Sequence, residues 1–280
     1  MDKWQRTWLV CRNTWTESAS KLQFFASLLF SVIICCLLRY EVFEKLYLSV
    51  GKISIPELII NTINSSYIYL VIICGLFIFL MQAPYFTRAD ALLLPRLGRG
   101  PWIWGKILFV AGFALLTVVL IYAFTILLAL PFADLTRWSW KDEYVVFLGE
   151  QMEHTVPWQI LIQSFGLNYL FLLLMAFIAM LLNLCYSRVI ALVVAGSICA
   201  SSTIIDVIFP QLARFGLALH ASIRYHSFHG IDNIAVGAPN MLPTVPESLL
   251  LFAAGCILCL ILIRYRVRNY DFQLESKGMH

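Results

Sequence analysis

Six long runs of apolar residues, each close to the length needed to cross a lipid bilayer, dominate this sequence. They cover residues 22–38, 65–84, 107–133, 160–183, 189–209 and 247–263. The hydrocarbon core of a bilayer is about 30 Å thick, so a spanning helix needs about 20 mostly apolar residues. Peptide groups surrounded by lipid must find their hydrogen bonds within the chain, which favours helices for runs of this length. The pattern predicts an all-α, polytopic membrane helix bundle with about six transmembrane helices.

The composition excludes a water-soluble globule. Hydrophobic residues make up 61% of the 280 residues, charged residues make up 13%, and the mean hydropathy is +0.82. Soluble domains are about 45–50% apolar and about 25% charged. We therefore predict a single transmembrane domain over residues 1–280. The first apolar run lacks an A-x-A-like cleavage site, so we expect it to be retained rather than removed as a signal peptide.

The distribution of Lys and Arg predicts the orientation of the chain. With the N-terminus inside, thirteen of the 20 basic residues fall on the cytoplasmic side and seven fall on the opposite side. Connections on the cytoplasmic side of membrane proteins carry an excess of Lys and Arg. Both termini are therefore predicted to be cytoplasmic.

Residues 3–17 are predicted to form an interfacial amphipathic helix before the first span. Trp4, Trp8, Cys11 and Trp15 recur at helical spacing and share one face, with the charged residues elsewhere on the circumference. Tryptophan favours the headgroup region, and cations on the other face attract anionic lipid. The alternative is a frayed tail that contains tryptophans by chance.

The connection 85–106 is basic and bounded by prolines, and residues 87–94 could form a short helix. A short helix that exposes leucines and arginines suits a groove on a partner protein. The alternative is a solvated inner loop that only follows the charge asymmetry of membrane proteins. Residues 100–106 also match the start of a phosphate-binding loop, G-x-x-x-x-G-K. Two tryptophans and a proline fill its interior and Ile107 follows in place of Ser or Thr, so we interpret the match as accidental.

Polar residues in the fourth and fifth spans are candidates for helix packing or for lining a path, with packing the favoured interpretation. The residues in question are Asn168, Asn183, Ser201 and Asp206. Apart from Glu247 at the very start of the sixth span, Asp206 is the one acid inside a predicted span, and it lies near the outer end, within reach of headgroups and water.

The connection 210–246 contains three histidines, His220, His226 and His229. Clustered histidines can bind metal, but histidines in an interfacial loop are usually solvated, and we expect the solvated state here. The role of the three histidines is open, and no metal site is predicted. The eight cysteines are expected to be free and packed among apolar groups.

The layout resembles the permease subunits of bacterial ABC-2-type exporters. The shared features are the N-terminal helix from Trp4 to Trp15, six spans with both ends inside, a long outer segment before the last span, and a basic tail after it. The stretch from Arg96 to Lys106, RLGRGPWIWGK, is similar to the R-x-G-[ST]-R-x-x-W…K pattern of that family. It departs from the pattern at Gly98, where the family has Ser or Thr.

The resemblance implies a membrane-spanning permease subunit of an ATP-driven exporter in the bacterial cell (plasma) membrane. The chain itself would not be an enzyme and would hold no cofactor, because ATP would be bound and hydrolysed by a separate ABC ATP-binding subunit. A second permease subunit, identical or homologous, would complete the complex in the lipid bilayer, and no nucleic acid would be bound. The coupling contacts implied are Arg88, Asp90, Arg96, Arg99, Trp102 and Lys106.

Two other functions stay open from the sequence. One is a non-transporting membrane anchor, assembly or sensor subunit of a membrane complex, which needs no path. The other is a membrane enzyme that uses His220, His226 and His229. The sequence indicates neither the transported substrate nor a choice between a homodimer and a heterodimer.

Overall fold

The structure is a computed structural model, and it describes residues 2–19, 21–22, 24–30, 32–33, 44, 47–48, 51–63, 84, 90–136, 155–226 and 242–268. Seven α-helices are bounded in these ranges. They are α1 (Lys3–Ala19), α2 (Ile55–Ile63), α3 (Asp90–Leu97), α4 (Arg99–Ala129), α5 (Pro157–Cys185), α6 (Arg188–Ile208) and α7 (Val245–Arg268). Short 3₁₀ turns follow α4 and α6, and the described part of the chain contains no β-strand. The predicted all-α class is confirmed.

Four helices are long and apolar enough to cross a membrane: Arg99–Phe132, Pro157–Cys185, Arg188–Asp206 and Val245–Arg268. They correspond to the third to sixth predicted spans. The first predicted span, 22–38, is described only in part, and residues 24–30 are helical. The second, 65–84, lies outside the described residues apart from Pro84. Six spans therefore remain a prediction, and four candidate spans are observed.

Helix α5 lies at the centre of the bundle and packs against α2, α4, α6 and α7. It joins α4 through polar groups, because the Tyr122 hydroxyl donates to Ser164 Oγ over 3.3 Å and Asn168 Nδ2 donates to the Tyr122 oxygen over 3.2 Å. Small residues let α6 approach α5, and this buried stripe consists of Ala191, Ala195, Cys199 and Ser202. The opposite face of α6 is exposed and apolar, and α6 is the least buried of the four long helices.

Four helix ends meet at one end of the bundle, which we call the basic end: the N-termini of α4 and α6 and the C-termini of α5 and α7. The Arg266 Nε donates to the carbonyl of Leu184 over 3.2 Å, and the Arg99 guanidinium donates to the carbonyl of Arg268. The last carbonyls of a helix lack partners inside the helix and carry partial negative charge. Two arginines therefore satisfy helix C-termini there.

At the opposite end of the bundle, which we call the far end, two helices start with capping boxes. Ser54 and Glu57 exchange backbone-to-side-chain hydrogen bonds at the start of α2, at 2.9 and 3.5 Å. Thr244 and Glu247 repeat the arrangement at the start of α7, at 2.9 and 3.4 Å. A capping box satisfies two N–H groups that the first turn of a helix leaves open, so the sequences S-x-x-E and T-x-x-E fix where these helices start.

Candidate functional site

Helix α1 packs closely along the first half of α4. Its buried stripe consists of Thr7, Val10, Cys11, Thr14 and Ser18, at helical spacing. The close approach depends on Gly105, since a Cβ atom there would lie 2.6 Å from the Val10 Cβ and 2.8 Å from the Thr7 carbonyl oxygen. Glycine at this position therefore lets the two helices touch through their backbones.

The tryptophans of α1 do not share one environment. Trp4 is 63% exposed and Trp8 is 56% exposed, whereas Trp15 packs edge-on against Phe109 with ring centroids 4.9 Å apart. Cys11, predicted to lie on the tryptophan face, is buried against α4, and burial raises the pKa of its thiol. The tryptophan face is therefore divided: one half is free to meet a membrane surface and the other half holds α1 on the bundle.

A buried polar cluster fixes α3 to α4. Lys106 Nζ lies 2.7 Å from Asp90 Oδ2, and Trp102 Nε1 donates to Asp90 Oδ1 over 2.9 Å. Asp90 is the first residue of α3, whereas Trp102 and Lys106 lie one turn apart on α4. We call this cluster the Asp90 clasp. It gives both carboxylate oxygens a donor.

Opening the Asp90 clasp costs much free energy because its charges are buried inside the protein. Lys106 and Trp102 have no exposed surface, and Asp90 is 5% exposed. Removing one partner of a buried ion pair leaves an uncompensated charge and costs about 3–5 kcal/mol. The clasp therefore makes α3 and the first turns of α4 one rigid unit.

Between α3 and α4 the chain turns at a single residue, Gly98. Its backbone has φ 82° and ψ 160°, a region open in practice to glycine alone. Arg96 and Arg99 flank this turn and are exposed. Arg99 also donates to the carbonyl of Arg268, which links the turn to the end of α7. We call Arg96, Gly98 and Arg99 the basic tip.

A groove of about 600 Å³ lies beside the basic tip, between the start of α1, the start of α4 and the end of α7. It is lined by Asp2, Lys3, Trp4, Thr7, Gly100, Pro101, Ile103, Trp104, Leu108 and Arg264. Indole rings, two cations and apolar side chains meet there, which is the mixture found where a protein meets lipid headgroups.

The predicted coupling residues separate into two groups. Asp90, Trp102 and Lys106 form the buried clasp, so their side chains face the interior instead of a partner. Arg96 and Arg99 lie at the surface of the basic tip, and Arg88 lies outside the described residues. The sequence placed these residues in one loop, but it did not indicate that an acid, an indole and an ammonium group would satisfy one another.

The polar residues of the long helices do not come together in one site. Asn168 is buried and also donates to the carbonyl of Ser164 over 2.6 Å, which is a packing role. Ser201 is exposed on α6 and donates to the carbonyl of Ile198 over 3.0 Å. Asn183 is half-buried in the last turn of α5.

Asp206 lies in the last turn of α6, at the far end, and its side chain is half-buried. It accepts a hydrogen bond from the Tyr225 hydroxyl. This bond ties the turns that follow α6 back onto the helix.

The expectation of solvated histidines is wrong for two of the three. His220 and His226 are buried at the far end, and both rings contact the hydroxyl of Ser248 on α7 at 2.8 Å. His229 lies outside the described residues. Sequence reasoning missed the cluster because Ser248 is 22 residues beyond His226 and carries no local signal of the contact.

The chain matches no model of a known protein family, no curated protein and no solved structure. A function for it therefore has to come from its own residues and their geometry.

Proposed function

We propose that this chain is the membrane-spanning permease subunit of an ATP-driven exporter of the ABC-2 type, and that the basic end of the bundle faces the cytoplasm of a bacterial cell. The observation that carries the proposal is the Asp90 clasp. It joins a short surface helix to a long apolar helix and leaves two arginines exposed at the turn between them.

A rigid junction of this kind suits the transmission of force. A separate ATP-binding subunit would dock on the basic tip, where exposed guanidinium groups can pair with its carboxylates. Because the clasp resists opening, a partner that moves the tip also moves α4. Helix α1 would follow, since it is seated on α4 at Gly105. ATP closure in the partner would thus reach the bundle.

The charge distribution supports the orientation. Arg99, Arg188 and the last three arginines of α7 lie at the basic end, and the cations of α1 lie on the same side. An excess of Lys and Arg is typical of the cytoplasmic side. The far end, with Asp134, Asp206 and Glu247, would then face outward.

The exposed apolar face of α6 leaves room for a second permease subunit. Large apolar side chains project from it, among them Val189, Val193, Ile204 and Ile208, each more than half exposed. Such a face requires lipid or another membrane helix.

Co-purification tests the proposal. The tagged full-length chain is extracted from its native membrane in a mild detergent, and the bound proteins are identified by mass spectrometry. We expect a stoichiometric ABC ATP-binding subunit with ATP hydrolysis. Arg96→Glu with Arg99→Glu should abolish its recovery, because both cations at the docking surface are reversed.

Arg12→Glu with Arg188→Glu is the matched control, since it reverses two exposed charges on the same side of the bundle but outside the basic tip and the groove beside it. It should retain the partner. Failure to recover any ATP-binding subunit with the wild-type chain would contradict the proposal. A bound partner whose ATP turnover moves nothing across the membrane would support the alternative of a non-transporting anchor or sensor subunit.

A further inference from the structure

Two imidazole rings and one hydroxyl group meet at the far end, where the turns after α6 reach the start of α7. Ser248 Oγ lies 2.8 Å from Nδ1 of His220 and 2.8 Å from Nε2 of His226. The other ring nitrogens face carbonyls: Nε2 of His220 lies 2.7 Å from the oxygen of Arg214, and Nδ1 of His226 lies 2.9 Å from the oxygen of Ser222.

These four contacts need more protons than the neutral groups supply. A carbonyl oxygen can only accept, so the two nitrogens that face carbonyls must both carry hydrogen. Each neutral ring then presents a bare nitrogen to Ser248, whose hydroxyl has one hydrogen to give. Two neutral rings and one hydroxyl group supply three protons for four hydrogen bonds. In one of the two contacts with Ser248, a lone pair of the ring nitrogen then faces a lone pair of the hydroxyl oxygen, and no hydrogen bond forms.

We infer that His220, Ser248 and His226 form a binding site for a single proton, carried by the His220 ring. With that proton, both nitrogens of His220 donate, one to the Arg214 carbonyl and one to Ser248 Oγ. The Ser248 hydroxyl donates to Nε2 of His226, and Nδ1 of His226 donates to the Ser222 carbonyl. All four hydrogen bonds are then made, and they run in one direction.

The surroundings decide which ring holds the charge. His226 has no exposed surface, and burial, the largest cause, lowers its pKa to about 4, with the neighbouring His220 adding to the effect. His220 is 8% exposed; burial lowers its pKa as well, but the Arg214 carbonyl and the Glu247 carboxylate act in the opposite direction. Glu247 faces it from the start of α7, within one residue of Ser248. The added proton is therefore carried by His220, the less buried of the two rings.

Among the side chains that the structure describes, few other charged groups lie around the site. The Arg214 side chain opposes the proton from the turn after α6. Asp206, at the end of α6, is held by the Tyr225 hydroxyl. Helix α5, which packs on the turns Leu219–Ala221 and Ile223–Tyr225, has no charged residue in its sequence. Because Arg214 and burial oppose the proton, the site fills only in acidic solution.

Proton binding would change how firmly the turns hold α7. When the site is filled, an unbroken chain of hydrogen bonds runs from residue 214 through the first turn of α7 to residue 222. When it is empty, one of the two contacts with Ser248 is repulsive and the turns are released on that side. This proton site is separate from the proposed transport role and does not depend on an ATP-binding partner.

Histidine NMR of the full-length chain in lipid nanodiscs tests the site. The chain contains five histidines, and labelled His220 and His226 are assigned with single His→Gln variants. We expect His220 to take up a proton first as the solution is acidified, while His226 is still neutral with its hydrogen on Nδ1. Ser248→Ala should weaken proton binding by His220 about tenfold, a shift of about one pH unit, because the charged ring loses an acceptor.

Ser248→Thr keeps the hydroxyl group and should titrate like the wild-type chain. His226→Phe is an independent variant: it frees the Ser248 hydrogen for neutral His220, so it should also weaken proton binding by His220. Protonation of His226 before or together with His220, or unchanged titration of His220 in both Ser248→Ala and His226→Phe, would each overturn the inference.

Discussion

Gly98 shows how one backbone conformation can decide a residue type. The turn between α3 and α4 needs φ 82° and ψ 160° at this position. A side chain in this region strains the backbone by about 1–3 kcal/mol. Glycine at position 98 therefore has a local physical reason.

We expect Gly98→Ser to lower the free energy of unfolding by about 1–3 kcal/mol, because a Cβ atom strains this backbone region. Gly100→Ala is the control, since neither glycine has a neighbour within 4 Å of an added Cβ and only Gly98 has positive φ. Alanine at 100, inside α4, should be neutral or stabilising. Thermal unfolding in detergent, followed by tryptophan fluorescence, measures both. Equal midpoints for the two variants would refute the strain.

At the scale of single residues, the sequence could predict the chemistry of the basic tip but not its partners. The resemblance implies that Arg96, Arg99, Trp102 and Lys106 act together; Arg96 lies near the end of α3, whereas the other three lie in the first turns of α4. Burial of Lys106 was not predictable, because its partner Asp90 is 16 residues away on another helix. The residues around a cation in the sequence do not indicate which distant acid will pair with it.

Among elements, the pairing of α3 with α4 depends on the Asp90 clasp, which predicts a non-additive set of variants. Lys106→Met leaves a buried carboxylate and Asp90→Asn leaves a buried ammonium group, and each should destabilise the chain by about 3–5 kcal/mol. The double variant leaves no charge and should be more stable than the Lys106→Met variant. Mixed-micelle unfolding of the four proteins measures the coupling. Simple additivity of the two losses would contradict a buried pair.

Helix boundaries at this scale were predicted unevenly. The third predicted span starts at residue 107, but α4 starts at Arg99 because Trp102 and Lys106 point into the protein and satisfy each other through Asp90. A hydropathy pattern ends a span at the first charge. It cannot recognise a charge that a neighbouring helix has already paired.

Over the whole molecule, acid stability should depend on His226. Burial lowers the pKa of His226 from 6.5 to about 4, so the fold holds the neutral ring and the unfolded chain binds the proton first. The stability gained in this way is complete above pH 6.5 and is lost as the pH falls from 6.5 towards 4. Unfolding midpoints between pH 7 and pH 4 should fall less steeply in His226→Gln than in the wild-type chain. Parallel slopes would contradict a neutral, buried ring.

At the scale of the whole fold, the long apolar helices were predictable, because the lipid environment requires them. Four of the six predicted spans coincide with long apolar helices, since peptide groups in hydrocarbon leave the chain little choice. The far end was not predictable in the same way. The histidines of this end were expected to be solvated, but packing of residues 210–226 on α5, α6 and α7 buries His220 and His226.

The bond from Arg99 reaches a main-chain oxygen at position 268 instead of a side chain. Any amino acid at position 268 offers the same oxygen. The residue type there can therefore change freely, whereas the length of α7 has to stay the same. Shortening α7 by one turn would remove this tether as well as Arg266, and with them the ties that bring the start of α4 and the end of α5 to the last helix.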